Sequence, residues 1–246
     1  MILFHCHQRL LSPSKVSTAW SWFSRTSCVC LPNTASIVAD LSYDQWSDQK
    51  WLENRSKGFD QPVNIYELHV GSWKKDEGEE FISYADSEQD LIAHCKKHNY
   101  THVEVMPLCE YPFDGSWGYQ CTGYFSSTAR YGTNQDLMHF VNELHKAGIG
   151  VIMDFVPVHF VTDNYALAKF DGTSLYEYEK EHDANSQWGT YNFDLWKEEV
   201  RSFLMSAANF WIDIYHFDGL RMDAISNAIF WHGDKRNGVN EGACNF

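Results

Sequence analysis

Two charged residues late in the chain have the types and spacing that carboxylate chemistry requires. Arg221 and Asp223 lie in the run 220–224, whose residue types predict a short strand. Side chains alternate faces along a strand, so both are expected on one side, about 6–7 Å apart. A guanidinium stabilises the charged form of a neighbouring carboxylate, and a charged carboxylate is the form that acts as a nucleophile. The alternative is a structural Arg–Asp pair at a strand end.

The elements that would position this pair follow a repeating strand and helix pattern. Before the strand at 220–224, three apolar runs predict buried strands at Val63 to Val70, His102 to Leu108 and Gly150 to Val156. The intervening helices are predicted to start at Ser87-x-x-Asp90 and at Thr133-x-x-Asp136, and a long helix is predicted over Lys197 to Tyr215. The second of these helices has a predicted apolar stripe of Leu137, Phe140, Val141 and Leu144. This alternation predicts an α/β fold with a parallel sheet, either a (β/α)₈ barrel or a doubly wound sheet. No G-x-G-x-x-G or P-loop follows any strand, which disfavours nucleotide binding.

Several polar and aromatic residues follow the predicted strands. Ligands bind at the carboxyl ends of the strands in both architectures. The residues expected at that edge are Asp114, Trp117, Tyr119, Asp154, His159, Arg221 and Asp223. Each also has a structural interpretation: a turn for the aspartate in Asp-Gly, packing for the aromatics, a loop cap for Asp154 and a core histidine for His159. Their shared location favours a site.

Composition excludes several classes of function. A net charge of −14 is unsuited to a nucleic-acid surface. No stretch approaches the ~18 apolar residues that a membrane span needs. The seven cysteines include no C-x-x-C pair, which favours reduced thiols in the cytoplasm. Aromatic content is 16%, with ten Trp, and this suits either a packed core or stacking on sugar rings, with the core as the default.

Residues 1–31 differ from the remainder of the chain. Arg9, Lys15 and Arg25 precede the first acidic residue, Asp40, and no helical or strand period persists there. The segment suits a plastid-type or other organelle transit peptide, or sequence outside the reading frame of the folded part, which we favour. We expect this leader to be disordered.

Three motifs in the remaining chain resemble a known family. Residues 154–159 (DFVPVH), 218–224 (DGLRMDA) and 112–120 (PFDGSWGYQ) look like the α-amylase superfamily, and within it like bacterial-type 1,4-α-glucan (glycogen) branching enzymes. Residues 66–73 (YELHVGSW) and 170–173 (FDGT) support the same subfamily. The resemblance covers about residues 32–246. It implies residues 32–62 as a linker before the barrel and residues 63–246 as the first four units of a (β/α)₈ TIM barrel.

The resemblance also implies a site and a reaction. Asp223 would be the catalytic nucleophile, which forms a glycosyl intermediate, with Arg221 stabilising its charge. The implied substrate-binding residues are Asp114, Trp117, Tyr119, Asp154, His159 and Arg221. The reaction would pass an α-1,4-glucan segment to a 6-hydroxyl in glycogen biosynthesis, with no cofactor. Val158 stands where calcium-binding amylases often have Asn, so we expect no metal of that kind.

The chain departs from the family in length. In the family, the acid/base Glu lies on a later strand, so we expect little activity from the 246 residues alone. Two alternatives stay open, an α-glucan hydrolase of the same superfamily and a non-catalytic glucan-binding fragment. The sequence predicts no oligomeric state.

Overall fold

The protein is an α/β structure built on parallel strands. The computed structural model describes residues 39–55, 61–74 and 81–229. In chain order, the strands are β1 (Ile65–Leu68), β2 (His102–Val105), β3 (Cys109–Glu110), β4 (Gly123–Ser127), β5 (Gly150–Phe155), β6 (His159–Phe160), β7 (Tyr191–Asn192) and β8 (Gly219–Met222). The helices are α1 (Gln49–Asn54), α2 (Val70–Trp73), α3 (Tyr84–His98), α4 (Asn134–Lys146), α5 (Glu181–Ala184), α6 (Glu198–Ile214) and α7 (Ile225–Ile229).

The main sheet has the order β1-β2-β5-β8, and every neighbouring pair is parallel. The order of these strands in the sheet is therefore the same as their order in the sequence. Two antiparallel hairpins, β3 with β4 and β6 with β7, are inserted in the loops that follow β2 and β5. Both hairpins follow the carboxyl end of a main strand, which is where the predicted site residues were expected.

The two faces of the main sheet differ in chemistry. On one face, Val103, Val105, Val151 and Met153 are completely buried in the same apolar cluster as residues of α3, α4 and α6. The residues between them point to the other face, which carries polar side chains. The prediction of apolar, buried strands was therefore incomplete, because alternate residues of each strand point to this second face, where polar side chains are accommodated.

Helices α3 and α4 both begin at hydrogen-bonded caps. The Thr133 hydroxyl accepts the Asp136 N–H and the Asp136 carboxylate accepts the Thr133 N–H, so the predicted capping box is confirmed. Its predicted apolar stripe is buried, with Leu137 and Leu144 fully enclosed. Helix α3 instead begins one turn before the predicted start, because Ser83, and not Ser87, accepts the backbone N–H three residues on.

The strands are shorter than the sequence predicted. The first predicted strand ends at Leu68, and Val70–Trp73 forms a helical turn. The second ends at Val105 and the third at Phe155. The fourth ends at Met222, so Asp223 lies in the turn that follows and Ala224 has a positive φ of 49°. The prediction that Asp223 continues the strand was wrong, because a left-handed backbone at Ala224 ends the extended run.

A charged network fastens the segment before β1 to the starts of the main strands. The Asp218 carboxylate accepts hydrogen bonds from four donors, namely Trp51 Nε1 (2.9 Å), Arg55 Nη1 (3.1 Å), His145 Nε2 (3.0 Å) and the Val151 N–H (2.7 Å). Burial alone would raise the pKa of Asp218, but the bonds from His145, Trp51 and Val151 outweigh it and lower the pKa. This network lies at the end of the strands opposite the predicted site.

A second carboxylate extends the network. Asp48 Oδ2 lies 2.9 Å from Nδ1 of His145 and 2.8 Å from Nδ1 of His216. The Trp46 ring stacks on His216 with centroids 3.7 Å apart. Two tryptophans of this segment therefore contact the network, Trp46 by stacking on His216 and Trp51 by donating to Asp218.

One sequence prediction falls on another part of the chain. The leader at residues 1–31 lies outside the described residues. Among the helices that the structure does describe, none combines the length and the apolar character needed to cross a bilayer.

Candidate active site

Arg221 joins two carboxylates at the carboxyl end of the main sheet. Its Nη1 nitrogen donates to Asp154 Oδ1 at 2.7 Å and to Asp223 Oδ1 at 2.8 Å. The β5–β8 register places Asp154 directly beside Arg221. Asp223 reaches the same nitrogen from the turn after β8, where its backbone N–H donates to the Phe155 carbonyl at 2.9 Å. The predicted Arg221–Asp223 contact is therefore present, and Asp154 makes it a triad.

Asp154 is the buried member of this triad. Its side chain is fully buried and its second oxygen, Oδ2, accepts a hydrogen bond from the Tyr119 hydroxyl. Burial raises the pKa of Asp154, and the bonds from Tyr119 and Arg221 oppose that shift. Burial and the bond to Asp154 both raise the pKa of the Tyr119 phenol, which therefore stays a hydrogen-bond donor. Both carboxylate oxygens of Asp154 are thus engaged in holding Tyr119 and Arg221.

His159 lies on the other side of Asp223. Its Nε2 is 3.9 Å from Asp223 Oδ2, and its side chain is 4% exposed. Burial lowers the pKa of His159 to about 4, although the nearby Asp223 charge opposes the shift. Nδ1 lies 3.1 Å from the Thr190 hydroxyl, and the Trp188 ring packs against the imidazole with centroids 4.8 Å apart. A neutral imidazole therefore faces the partly exposed Asp223 carboxylate.

The structure does not join Asp114 and Trp117 to this cluster. Asp114 lies in a 3-10 turn at 114–116, and its Oδ1 accepts from Arg130 Nε at 2.6 Å. Trp117 follows the turn, with a side chain among the most exposed of the large apolar residues at 59%. Arg130 also donates to the buried Glu110 at 2.7 Å, so Glu110 and Arg130 support the loop from within.

The sequence did not identify the residues that hold His159. Ser186, Trp188 and Thr190 lie in the excursion between β6 and β7, where no site residue was predicted. The pairing of β6 with β7 brings this segment back to His159, and the register aligns His159 with Asn192. The run Trp188-Gly189-Thr190, with Gly189 at a positive φ of 72°, is a turn signal that could have indicated a return toward β6.

Three carboxylates on the polar face of the sheet lie close together. Oxygens of Glu67, Glu104 and Asp154 are all within 4.8 Å of one another. Both Asp154 oxygens already accept hydrogen bonds, and burial raises the pKa of Glu104. A raised carboxyl pKa relieves the repulsion between neighbouring acids without an ion. We therefore assign no metal to these three residues.

The arrangement has the chemical parts of a carboxylate nucleophile site. Asp223 is ordered by one charge-assisted hydrogen bond from Arg221, and its side chain is 19% exposed, so its second oxygen is open to a ligand. A neutral His159 lies 3.9 Å from it, and the Tyr119 hydroxyl reaches the triad through Asp154. A carboxylate so placed can attack an electrophilic carbon, while the guanidinium keeps the carboxylate oriented.

Comparison with known proteins identifies the family that the chain resembles. The alpha amylase catalytic domain family matches residues 90–190. A solved structure described as a putative alpha amylase from Salmonella typhimurium aligns with a TM-score of 0.67 and 25% identity, over 83% of this chain and 32% of that one. This chain is therefore similar to enzymes of the α-amylase superfamily.

Within that superfamily, the chain is similar to particular enzymes. It is 49% identical to the 1,4-alpha-glucan branching enzyme GlgB of Bacillus cereus over 87% of this chain. The enzyme of the same name from Fusobacterium nucleatum is also 49% identical, over 85% of this chain. The chain spans 34% of the length of each of these relatives. The family resemblance noted in the sequence is thereby confirmed.

Proposed function

We propose that this chain carries the nucleophile side of a 1,4-α-glucan branching enzyme, which acts on glycogen-like α-glucan. The observation that supports this most is the Asp154–Arg221–Asp223 triad, in which one guanidinium nitrogen holds two carboxylates. The 49% identity to the Bacillus cereus enzyme, over 87% of this chain, supports the same assignment. The proposed reaction transfers an α-1,4-linked segment to a 6-hydroxyl with retention of configuration.

Asp223 is the proposed nucleophile. Its carboxylate attacks the anomeric carbon, the glycosidic carbon–oxygen bond breaks, and a general acid protonates the departing glucan oxygen. A 6-hydroxyl then attacks the same carbon, loses its proton to the general base, and releases the carboxylate. In this proposal Arg221 orients Asp223 throughout and Asp154 holds Arg221. We assign no cofactor to these steps.

The flanking residues bind the sugar in this proposal. Tyr119 and His159 present polar groups on either side of Asp223, and these would contact the sugar ring next to the cleaved bond. Asp114 and Trp117 would contact the glucan further out, since both are exposed on the loop between β3 and β4. A flat exposed indole suits the C–H face of a glucose ring.

We further propose that β1, β2, β5 and β8 are the first four strands of a (β/α)₈ barrel, preceded by a pre-barrel segment within residues 32–62. The order of these strands follows the chain without reversal. A doubly wound sheet reverses its strand order at a switch point, whereas a barrel does not. The polar inner face, with Glu67, Glu104 and Arg221, suits the carboxyl-terminal half of a barrel interior. The cytoplasmic location stays a prediction.

We propose little turnover by the 246 residues alone. Among the described residues, Asp154 is the one other carboxyl group bonded to the Arg221 nitrogen that holds Asp223, and both its oxygens are occupied. It is therefore unsuited to protonate a leaving group. Loss of a general acid would reduce the rate by about 10²–10⁴-fold.

The test is to assay amylose with the chain mixed with the part of the Bacillus cereus enzyme that lies outside the matched region. Branching lowers iodine absorbance without a matching rise in reducing ends, and we expect that result. Asp223→Asn should abolish it, whereas Asp213→Asn, an exposed carboxylate on α6, should not. A rise in reducing ends that parallels the fall in iodine absorbance would indicate a hydrolase. Glucan binding unaffected by Asp223→Asn, with no change in the amylose, would indicate a non-catalytic binding protein.

A further inference from the structure

His159 faces Asp223 with one ring nitrogen and the β6–β7 excursion with the other. Nε2 is 3.9 Å from Asp223 Oδ2, and Nδ1 is 3.1 Å from Thr190 Oγ1. A neutral imidazole carries its proton on only one of these atoms, so the tautomer decides whether the group facing Asp223 is a donor or an acceptor. The hydrogen bonds around Thr190 determine which tautomer is present.

The serine that precedes Thr190 by four residues sets the direction of these bonds. Ser186 Oγ accepts the backbone N–H of Trp188 at 3.1 Å and the backbone N–H of Thr190 at 3.3 Å. A hydroxyl oxygen has two acceptor lone pairs and one proton. Both lone pairs are occupied, so Ser186 takes part in its third contact, 2.5 Å to Thr190 Oγ1, as the donor.

The Thr190 hydroxyl in turn determines which nitrogen of His159 carries the proton. Thr190 Oγ1 accepts from Ser186, and its other side-chain contact is with His159 Nδ1. A protonated Nδ1 would leave the buried Thr190 hydroxyl proton without an acceptor, which is unfavourable. Nδ1 is therefore the acceptor, and the ring proton lies on Nε2. Ser186, Thr190 and His159 are all buried, at 8%, 2% and 3% exposed, so water does not readily replace these bonds.

We propose that Ser186 and Thr190 are positioning residues that fix His159 as its Nε2–H tautomer, so that an N–H donor is directed at Asp223 and at the sugar it binds. The Trp188 ring holds the imidazole plane from one side, with centroids 4.8 Å apart at 34°. The Tyr124 hydroxyl donates to the His159 carbonyl at 2.8 Å and fixes the backbone beneath it. The role toward sugar rests on the proposed function, whereas the tautomer itself does not.

The tautomer of His159 decides whether its ring attracts or repels the Asp223 carboxylate. With the proton on Nε2, His159 attracts the unbonded Asp223 oxygen and any hydroxyl oxygen bound between them. With the proton on Nδ1, the Nε2 lone pair would instead face the Asp223 carboxylate and repel it. The β6–β7 excursion therefore sets the polarity of one wall of the site, although none of its hydroxyls bonds to Asp223.

The test is nitrogen NMR of the purified 246-residue chain at neutral pH, with His159 assigned by through-bond correlations. In the wild type we expect one tautomer, with the Nδ1 resonance at the position of an unprotonated nitrogen and Nε2 at that of an N–H. Thr190→Val, which keeps the shape but removes the hydroxyl, should shift both resonances toward a mixture. Thr190→Ser should retain the wild-type pattern.

Two further variants make the result decisive. Thr122→Val removes a hydroxyl that donates to the Glu110 carbonyl, and this matched control should leave the His159 signals unchanged. Ser186→Ala should release Thr190 to accept from Nδ1 and also give a mixture, which provides a second route if Thr190→Val does not fold. A wild-type Nδ1–H tautomer, or unchanged signals in both Thr190→Val and Ser186→Ala, would overturn the proposal. No glucan is involved, so this outcome is independent of the branching assay.

Discussion

Replacing Asp218 by Asn tests whether the charged network at the starts of the strands stabilises the sheet. The side chain is 8% exposed and receives bonds from Trp51, Arg55, His145 and Val151. These donors lie on three parts of the chain, namely α1 with its C-terminal cap, α4 and β5. Asparagine has nearly the same shape. It removes the charge and replaces one acceptor oxygen with an NH₂ group, which cannot accept from the donors that face it.

The magnitude follows from what is left unpaired. Two donors face each carboxylate oxygen, so the amide group leaves two of the four without an acceptor. Each unpaired buried donor costs about 1–3 kcal/mol, and breaking a buried charge pair costs about 3–5 kcal/mol. Arg55 is 32% exposed and is discounted, because solvent screens it. We expect a loss of about 3–5 kcal/mol, against a usual total of about 5–15 kcal/mol.

The assay is urea unfolding followed by circular dichroism. Asp90→Asn is the matched control, because Asp90 pairs with Lys74 on the surface and its loss should cost under about 1 kcal/mol. The folded-state pKa of Asp218 is lowered, so its contribution is complete above the ordinary carboxyl pKa of about 3.9 and is lost as the pH falls through the lower folded-state value. Asp218→Asn should lack this acid-side loss.

The reasoning fails if Asp218→Asn unfolds within about 1 kcal/mol of the wild type and of the Asp90→Asn control. It also fails if the wild type and Asp218→Asn lose stability in parallel below about pH 4. Either outcome would mean that the network is a consequence of the fold and contributes no net stability.

Three further outcomes are expected. Tyr119→Phe should destabilise the chain by about 1.5–3 kcal/mol in urea unfolding, because the buried Asp154 carboxylate loses one charge-assisted hydrogen bond; an unchanged unfolding midpoint would contradict this. Thr133→Ala should cost about 1 kcal/mol, because it removes the cap of α4, whereas Thr133→Ser should restore most of that stability; equal losses in both would be contrary to a capping role. The lowered pKa of His159 means that its protonation opposes folding, so its contribution to stability should fall as the pH drops from about 6.5 toward about 4. An NMR titration should give a midpoint near pH 4, and a midpoint at or above pH 6 would refute the assignment of burial as the dominant cause.

The sequence was sufficient to predict features that depend on residues close together in the chain. The Thr133–Asp136 capping box and the stripe that includes Leu137 lie on consecutive turns, so the pattern determined both the start and the buried face of α4. The contact between Arg221 and Asp223 was similarly visible, since two residues of chain bring the side chains together in either an extended or a turned backbone.

Contacts between distant segments were less visible. The third member of the triad, Asp154, is 67 residues from Arg221, and only the β5–β8 register places the two side by side. Thr190 reaches His159 across 31 residues through a hairpin whose strands are two residues long. Strands this short carry almost no periodicity, so the sequence offered no signal for their pairing. The structure brings Asp154, Arg221 and Asp223 of the predicted residues together, whereas Thr190 and Trp188 beside His159 were not predicted.

Contacts at both ends of the β8 strand influence the position of the site residues. This strand has four residues and, within the described part of the chain, its only ladder partner is β5. Ionic contacts hold it at each end, with Asp218 before its first residue and Arg221 near its last. Motion at one end therefore reaches the other along a rigid span of about 10 Å. Loosening residues 39–55, which contact Asp218 through Trp51 and Arg55, would broaden the range of positions that the Asp223 carboxylate samples.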